Sequence, residues 1–367
     1  MSSPIRAPKK QPPEPPCQLS SLPEEIVVDI IARVPRCYYL TLSQVSRRFR
    51  SIVASSEIYT RRSFFGCTEQ CLYVAISKDQ TCDIHWFTLC RKPNREQLSP
   101  GNSDHRLVHI PSLPPMALHG SYIGVGSKIF VMGGFENWKT IISTVSLIDC
   151  RSHKANRLPN MPKAVASSVT ELIDQKIYVI GGLDTHSPMK SPSRTMMVFD
   201  TETETWNFQV RPDWEQGKRW FSSVEMGGKI YMRTLYNSFV YDPNQDTCER
   251  DEVLHTKEWS SSCVVEDVLY YYDVRCNCLR AYDPMQRSWG VVKGLEGLLP
   301  QACKWSKAAS YNGGKVVVFL QETETEIWCA EIAVDRRQGG EIWGKVEWCD
   351  VVLCGNFHIM DCVAVRL

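Results

Sequence analysis

The sequence predicts a small all-α domain of three short helices followed by a much larger all-β domain, and three observations carry that prediction. Apolar residues between positions 20 and 62 recur at helical spacing. From about residue 64 the texture changes to short Val/Ile/Tyr runs separated by Gly, Pro, Asn and Asp. Within that longer stretch a single strand-like unit returns six times. The boundaries read as a Pro-rich tail over residues 1–19, the helical domain over 20–63 and the β domain over 64–367.

The tail holds six prolines and three basic residues with almost no large apolar ones, the composition of a flexible, partly polyproline segment. In the helical domain, Ile26, Val27, Ile30, Ile31 and Val34 give the first helix one wide apolar face. Ser21 and Glu24 have the spacing of a capping box, Pro23 is expected in the first turn, and Pro35 ends the helix. Leu42, Val45, Phe49 and Ile52 form the stripe of a second helix, and Ser56 offers an N-cap for a third carrying Ile58 and Tyr59. Three such helices cannot bury this much aliphatic surface among themselves. Some of it must be covered by the rest of the chain or by a partner.

The β domain is organised by repetition. SKIFVMGG (127–134) and QKIYVIGG (175–182) are the same element. Weaker copies stand at CLYVAIS (71–77), GKIYMRTL (228–235), DVLYYYD (267–273) and GKVVVFLQ (314–321). In the last three, Arg233-Thr234, Tyr272-Asp273 and Leu320-Gln321 stand in for the Gly-Gly pair, whose missing side chains let backbones approach closely near the axis. A second piece follows the strands: MVFDTETETW (197–206), VYDPNQDTC (240–248) and AYDPMQRSW (281–289) each place an aromatic-Asp pair six residues before Trp or Cys, and LIDCRSHKA (147–155) is a degraded copy. The Asp marks the end of a third strand and the Trp the start of a fourth. The final stretch, NFHIMDCVAVRL (356–367), reads as a strand with no unit of its own, fit to complete the first one and to remove an exposed edge.

Two resemblances follow from these residues. Leu22-Pro23, Ile30-Ile31, Val34-Pro35, Val45 and Arg48-Phe49 resemble an F-box, whose motif reads Leu-Pro, a Leu/Ile-rich helix, Leu-Pro, then Val-Cys-Lys-Trp. Ser46 and Phe49 depart from that motif where the family often has Cys and Trp, and both are compatible with the same packing. The strand copies resemble kelch repeats. Together, roughly residues 20–367 resemble the plant F-box/kelch-repeat family. The resemblance implies a small all-α F-box (three-helix) domain followed by an all-β six-bladed kelch-type β-propeller. It implies the substrate-recognition subunit of an SCF-type (Skp1–cullin–F-box) E3 ubiquitin ligase, in which the F-box docks a Skp1-like adaptor, with cullin and the RING subunit through it, and the propeller binds a protein substrate. Leu22, Pro23, Ile26, Ile30, Ile31, Val34, Pro35, Val45 and Phe49 are the residues it assigns to adaptor binding, some of them facing the domain's own core.

Composition narrows the alternatives. With 42 basic and 41 acidic residues the chain carries a net charge of +1, which gives no electrostatic argument for nucleic acid or for an anionic membrane. No apolar run approaches the ~18 residues of a spanning helix, and the N-terminus has no signal-like hydrophobic segment. The 16 cysteines are scattered, with no Cys-x-x-Cys, so reduced thiols in a cytoplasmic or nuclear protein are expected, without a metal or other cofactor. The eight histidines form no helix-borne cluster; His105 and His109 are four apart but read as lying in a linker. No nucleophile elbow, P-loop or dinucleotide fingerprint occurs. The expected protein is therefore a non-catalytic adaptor. A kelch scaffold acting outside ubiquitination, and an enzymatic or small-molecule-sensing propeller, are the alternatives.

The substrate surface is read from the loops. Lys218-Arg219-Trp220, Lys257-Glu258-Trp259 and Lys304-Trp305 each precede a Ser/Ala-rich run, at equivalent positions on one rim. Arg219, Trp220, Lys257, Trp259, Lys304 and Trp305 are thus the substrate-binding candidates, since Trp and Arg dominate interface hot spots. Arg233, placed where two other units have Gly, joins them as a side chain directed toward the axis. The alternative for each Trp is packing between units, with its basic neighbour solvating the turn.

Overall fold

The computed structural model describes residues 22–78, 83–91, 105–137, 139–183, 195–211, 214, 220–301, 303–321, 323, 325–337 and 339–367. Contacts divide the chain into two units, one ending at Cys67 and one beginning at Thr68.

The first unit contains α1 (Glu24–Ala32), a 3-10 turn (Arg36–Tyr38), α2 (Tyr39–Val45), α3 (Arg47–Val53) and α4 (Ser56–Phe64). The stripe expected as one second helix is thus two helices. Ser46 breaks it: its backbone is extended (φ −158°, ψ 163°), and its Oγ accepts a hydrogen bond from the Phe49 N–H at 3.1 Å. A serine hydroxyl competes with the helical carbonyl for such amides, so it starts a new helix where a continuous one was possible. Pro23 occupies the N-cap of α1, not its first turn, and no side chain caps that end; Ser21 of the expected capping box lies outside the described residues. Glu24 and Glu25 favour the first turn through the helix dipole. The cap residue of α4 is Ser55, not Ser56, and its hydroxyl donates back to the Ile52 carbonyl at 2.9 Å, so it serves the end of α3.

Val27, Val28, Ile31, Tyr39, Phe49, Ile52, Ile58 and Tyr59 form the core of this unit. Among them lies Arg62, 1% exposed. Its Nη1 donates to the carbonyls of Ala32 at 3.0 Å and Val34 at 2.8 Å, and to the Tyr39 hydroxyl at 3.2 Å. The last carbonyls of a helix have no partner within it and carry its negative dipole end. Arg62 supplies both the donors and the charge, and so ties α4 to the end of α1.

The second unit is a six-bladed propeller of four-stranded antiparallel sheets. With strands a to d counted from the axis outward, blade 2 is Ser121–Val125, Lys128–Met132, Val145–Asp149 and Lys154–Leu158. Blade 3 is Val169–Ile173, Lys176–Ile180, Thr195–Asp200 and Thr205–Val210. Blade 4 is Trp220–Met226, Lys229–Thr234, Ser238–Asp242 and Thr247–Arg250. Blade 5 is Cys263–Val265, Val268–Asp273, Cys278–Asp283 and Ser288–Val291, and blade 6 is Trp305–Tyr311, Lys315–Gln321, Glu326–Arg336 and Ile342–Cys354. Blade 1 is composite. Its b, c and d strands are Gln70–Lys78, Ile84–Arg91 and His105–His109, and its a strand is the C-terminal Phe357–Arg366. The a strands contact one another in a closed circle.

The repeated sequence pieces have local causes. Asp149, Asp200, Asp242 and Asp283 end their c strands, and each accepts backbone N–H bonds from the turn that follows, as Asp200 Oδ1 does from Glu202 at 3.0 Å and Thr203 at 2.9 Å. This is why Asp recurs there. Trp206 and Trp289 on the d strands reach back, their indole N–H groups donating to Pro159 O at 3.0 Å and Val253 O at 3.1 Å. The Gly-Gly pairs serve a different contact from the expected one near the axis. The entry loop of each blade pairs across them, as Leu118 with Phe135 and Ala166 with Leu183, and a Cβ on Gly133 would stand 2.2 Å from the Val165 carbonyl oxygen.

Strand register also corrects the repeat alignment by one residue. Lys128, Lys176, Lys229, Val268 and Lys315 each open a b strand opposite the last residue of strand a. Counted from there, Gly133-Gly134 and Gly181-Gly182 correspond to Thr234-Leu235 and Asp273-Val274. Arg233 therefore does not replace a glycine; it corresponds to Met132 and Ile180.

Closure should control stability. The C-terminal segment buries Ile359, Val363, Val365 and Leu367, each worth about 1.5–3 kcal/mol. Deleting residues 357–367 should lower the melting temperature by more than ~10 °C and promote aggregation through the bared edge of Gln70–Lys78. An unchanged melt by circular dichroism would contradict this account of the ring.

Candidate functional site

The helical unit sorts its apolar residues into two sets. Ile31 and Phe49, both expected to meet a partner, are buried at 3% and 9% exposure and belong to the unit's core. Leu22 and Val34 are half-buried. The outward set is Pro23, Ile26, Ile30, Pro35 and Val45, with Ile26 45%, Ile30 38% and Val45 63% exposed. Helix geometry makes the division: Ile26 and Ile30 are four apart on one face of α1, while Val27 and Ile31 point inward. Phe64, 80% exposed at the end of α4, is a further outward aromatic that the sequence reading did not single out.

In the propeller, entry loops and b–c loops share one face, which is the rim; a–b and c–d turns share the other. The expected rim candidates fare differently. Arg219 lies outside the described residues, and Trp220 opens strand a of blade 4, its side chain outside them too. Lys257 is half-buried and Lys304 exposed. Trp259 is 0% exposed, packed between blades 4 and 5 against Val224, Leu269, Tyr271 and Tyr282, with its indole N–H 3.3 Å from Ser238 Oγ. It cannot touch a partner, and the packing alternative holds for it. Trp305 packs against the core between blades 6 and 1. Arg233 is 8% exposed. Exposed on the same rim are Leu235 at 57% and Tyr236 at 63%, in the b–c turn of blade 4. Only the fold identifies these two, because in sequence they resemble a strand continuing.

Inside the ring the a strands line a channel of about 540 Å³. Lys307 Nζ and Asp361 Oδ1 are paired at 2.8 Å between neighbouring a strands of its wall, and Glu171 accepts a hydrogen bond from Ser223 Oγ at 2.6 Å. Glu171 is half-buried in the channel wall; desolvation there pushes its carboxyl up to about 7, outweighing the Ser223 bond that favours the charged form, with Glu225 and Asp361 adding to the rise. None of these channel residues was a candidate, since hydrophobic patterning carries no signal for a polar axis.

The histidine pair expected in a linker forms strand d of blade 1. Residues four apart on a strand are separated by about 13 Å, too far to share a metal. His105 instead stacks on Trp348, ring centroids 3.7 Å apart, with Nδ1 3.4 Å from Asp350 Oδ2.

Comparison with known proteins gives the following. An F-box domain model matches residues 19–61, and the FKB95 kelch-repeats domain model matches residues 86–353. F-box/kelch-repeat protein At4g38940 of Arabidopsis thaliana is 79% identical over 371 residues, covering 100% of both chains. F-box/kelch-repeat protein At4g14905 of the same plant is 38% identical over 355 residues, covering 95% of this chain and 92% of that one. F-box/kelch-repeat protein At4g39240, also from Arabidopsis thaliana, is 37% identical over 347 residues, with 93% and 89% covered.

The raised Glu171 carboxyl sets a pH dependence. Its ordinary value is 4.5, so as pH rises from there to about 7 the unfolded chain releases a proton that the ring retains. Stability contributed by this group is complete below 4.5 and is lost as pH approaches about 7. Glu171→Gln keeps a Ser223 acceptor and cannot ionise. It should melt like the wild type near about pH 4 and above it at about pH 8; a gap of equal size at both would show that Glu171 is not the titrating group.

Proposed function

Because the chain belongs to the plant F-box/kelch-repeat family, we propose that it is the substrate-recognition subunit of an SCF-type E3 ubiquitin ligase, working in the cytoplasm or nucleus. The helical unit docks a Skp1-like adaptor, and through it cullin and the RING subunit. The propeller holds a protein substrate for ubiquitination. The chain supplies no catalytic group in this reading; it raises the effective concentration of substrate beside a ubiquitin-charged enzyme.

The observation that carries the proposal is the outward apolar set on α1 and α2. Ile26, Ile30 and Val45 stand outside a core that is complete without them. Burying each fully against a partner is worth about 1.5–3 kcal/mol, and Pro23 at the start of α1 and Pro35 before the 3-10 turn are exposed as well. That sum competes with the cost of association when further contacts are added around it.

The burial pattern also decides which variants test the idea. Ile31→Asp would place a charge in the core and unfold the unit, so loss of binding would mean little. Ile30→Asp combined with Val45→Asp should abolish co-purification of a Skp1-type adaptor and cullin while leaving the melting temperature within about 2 °C of the wild type. Undiminished co-purification would remove the docking surface from this face. Retention of the adaptor without cullin in the wild type would favour a scaffold acting outside ubiquitination.

A further inference from the structure

One side chain between the blades breaks the packing rule that the others follow. The fifth residue of strand b, counted from the a–b turn, faces the next blade. It is Met132 in blade 2, Ile180 in blade 3, Tyr272 in blade 5 and Phe319 in blade 6, at 1%, 1%, 3% and 0% exposure. In blade 4 it is Arg233, on the face that also presents Tyr231 to Leu269 and Tyr271 of blade 5.

Arg233 is 8% exposed, yet among the described residues its guanidinium makes no hydrogen bond or ion pair, and its Nε is fully buried without a partner. Glu258, the acid whose charge acts on it, is held by Arg275 at 2.7 Å. Burial lowers the pKa of Arg233, the direction expected of a cation removed from water without compensation. A buried Nε of this kind is not peculiar to Arg233, since Arg62 has one too; the contrast lies at the terminal nitrogens, where Arg62 Nη1 meets three oxygen acceptors. A buried unpaired charge is costly, and an apolar or aromatic residue fills this position in the other blades, so folding alone does not account for an arginine here.

The rim beside it carries two exposed large side chains, Leu235 and Tyr236. Directly after Arg233 comes a tight turn in which Thr234 Oγ1 accepts from the Asn237 N–H at 3.0 Å and the Tyr236 N–H at 3.3 Å, while the Thr234 N–H donates to the Asn237 carbonyl at 2.8 Å. This rigid turn presents Leu235 and Tyr236 to solvent.

We propose that Arg233 is the receiving cation for an Asp or Glu side chain of the protein substrate, and that the Leu235–Tyr236 turn holds an aliphatic or aromatic residue next to that acid. The recognised element is an extended segment with an acidic and an apolar residue side by side. Carboxylate pairing satisfies the guanidinium, and the exposed turn provides apolar contact around the pair, which excludes water from it. This assignment rests on the reading of the propeller as a substrate receptor.

The test uses the full-length chain and synthetic peptides carrying Asp or Glu beside Leu, Phe or Tyr, with matched sets bearing Asn or Gln, or phosphoserine, in place of the acid. The acidic set should bind, and amide replacement should weaken it roughly tenfold or more. Arg233→Met restores the residue type of the other blades. It should lose the same roughly tenfold in binding while the melting temperature stays equal or rises, and adaptor co-purification should be unchanged. A lower melting temperature in Arg233→Met would make the arginine structural and overturn the proposal. So would equal binding of acidic and amide peptides, selective binding of the phosphoserine set, or failure of every peptide to bind the wild type. Loss of adaptor association in the wild type would instead strike the ligase reading, whatever the peptides do.

Discussion

Everything in the larger unit depends on one pairing, that of Phe357–Arg366 with Gln70–Lys78. It joins the last strand of the chain to the first strand of the ring, and the Glu69 and Leu367 backbones bond reciprocally at 2.6 and 2.8 Å where the two ends meet. A propeller blade buries both faces only when a neighbour stands on each side. An open ring would leave two such faces wet and two strand edges unpaired. Closure also sets the positions of the rim loops, because the a strands can form a circle only in one arrangement. The geometry of the rim therefore depends on this seam.

The two buried arginines show how the same side chain serves opposite ends. Arg62 has its guanidinium among carbonyls that a helix end cannot satisfy itself, so its burial stabilises the helical unit. Arg233 sits where its counterparts are apolar or aromatic and meets no acceptor among the described residues. The first charge is compensated inside the chain; the second is not, and in the proposed reading its compensation comes from outside. If the proposed reading holds, stability and recognition draw on one physical quantity, the desolvation of a cation, with opposite sign.

Much of the fold was legible in the sequence because its signals are local. The α1 stripe, the aromatic-Asp turn and the return of one strand unit each follow from periodicity or from a side chain bonding its own backbone. What was missed needed information from beyond the local window. Ser46 could have continued a helix or capped one, and only the Phe49 N–H decides. Arg233 was placed one residue out of register, and one residue on a strand moves a side chain to the other face. That slip turned an inter-blade cation into a supposed axial one. Trp259 was read as a rim contact because basic-plus-Trp loops suit both interfaces and cores, and burial between blades cannot be seen in a loop's composition. Leu235 and Tyr236 were hidden for the converse reason, since an apolar pair after a strand looks like more strand.

The order of synthesis gives the seam a further meaning. The helical unit is complete once Cys67 has been made, but the ring lacks strand a of blade 1 until Phe357–Arg366 has been made. During that interval blade 1 has only its outer strands, and the nascent ring exposes an edge to every chain nearby. A message or protein cut short before Phe357 would leave the helical unit intact and the ring unclosed. In a ligase of the proposed kind, such a fragment would occupy adaptor without delivering substrate. Because the strand that completes blade 1 follows all five other blades in the sequence, the ring can close only after every one of them has been made.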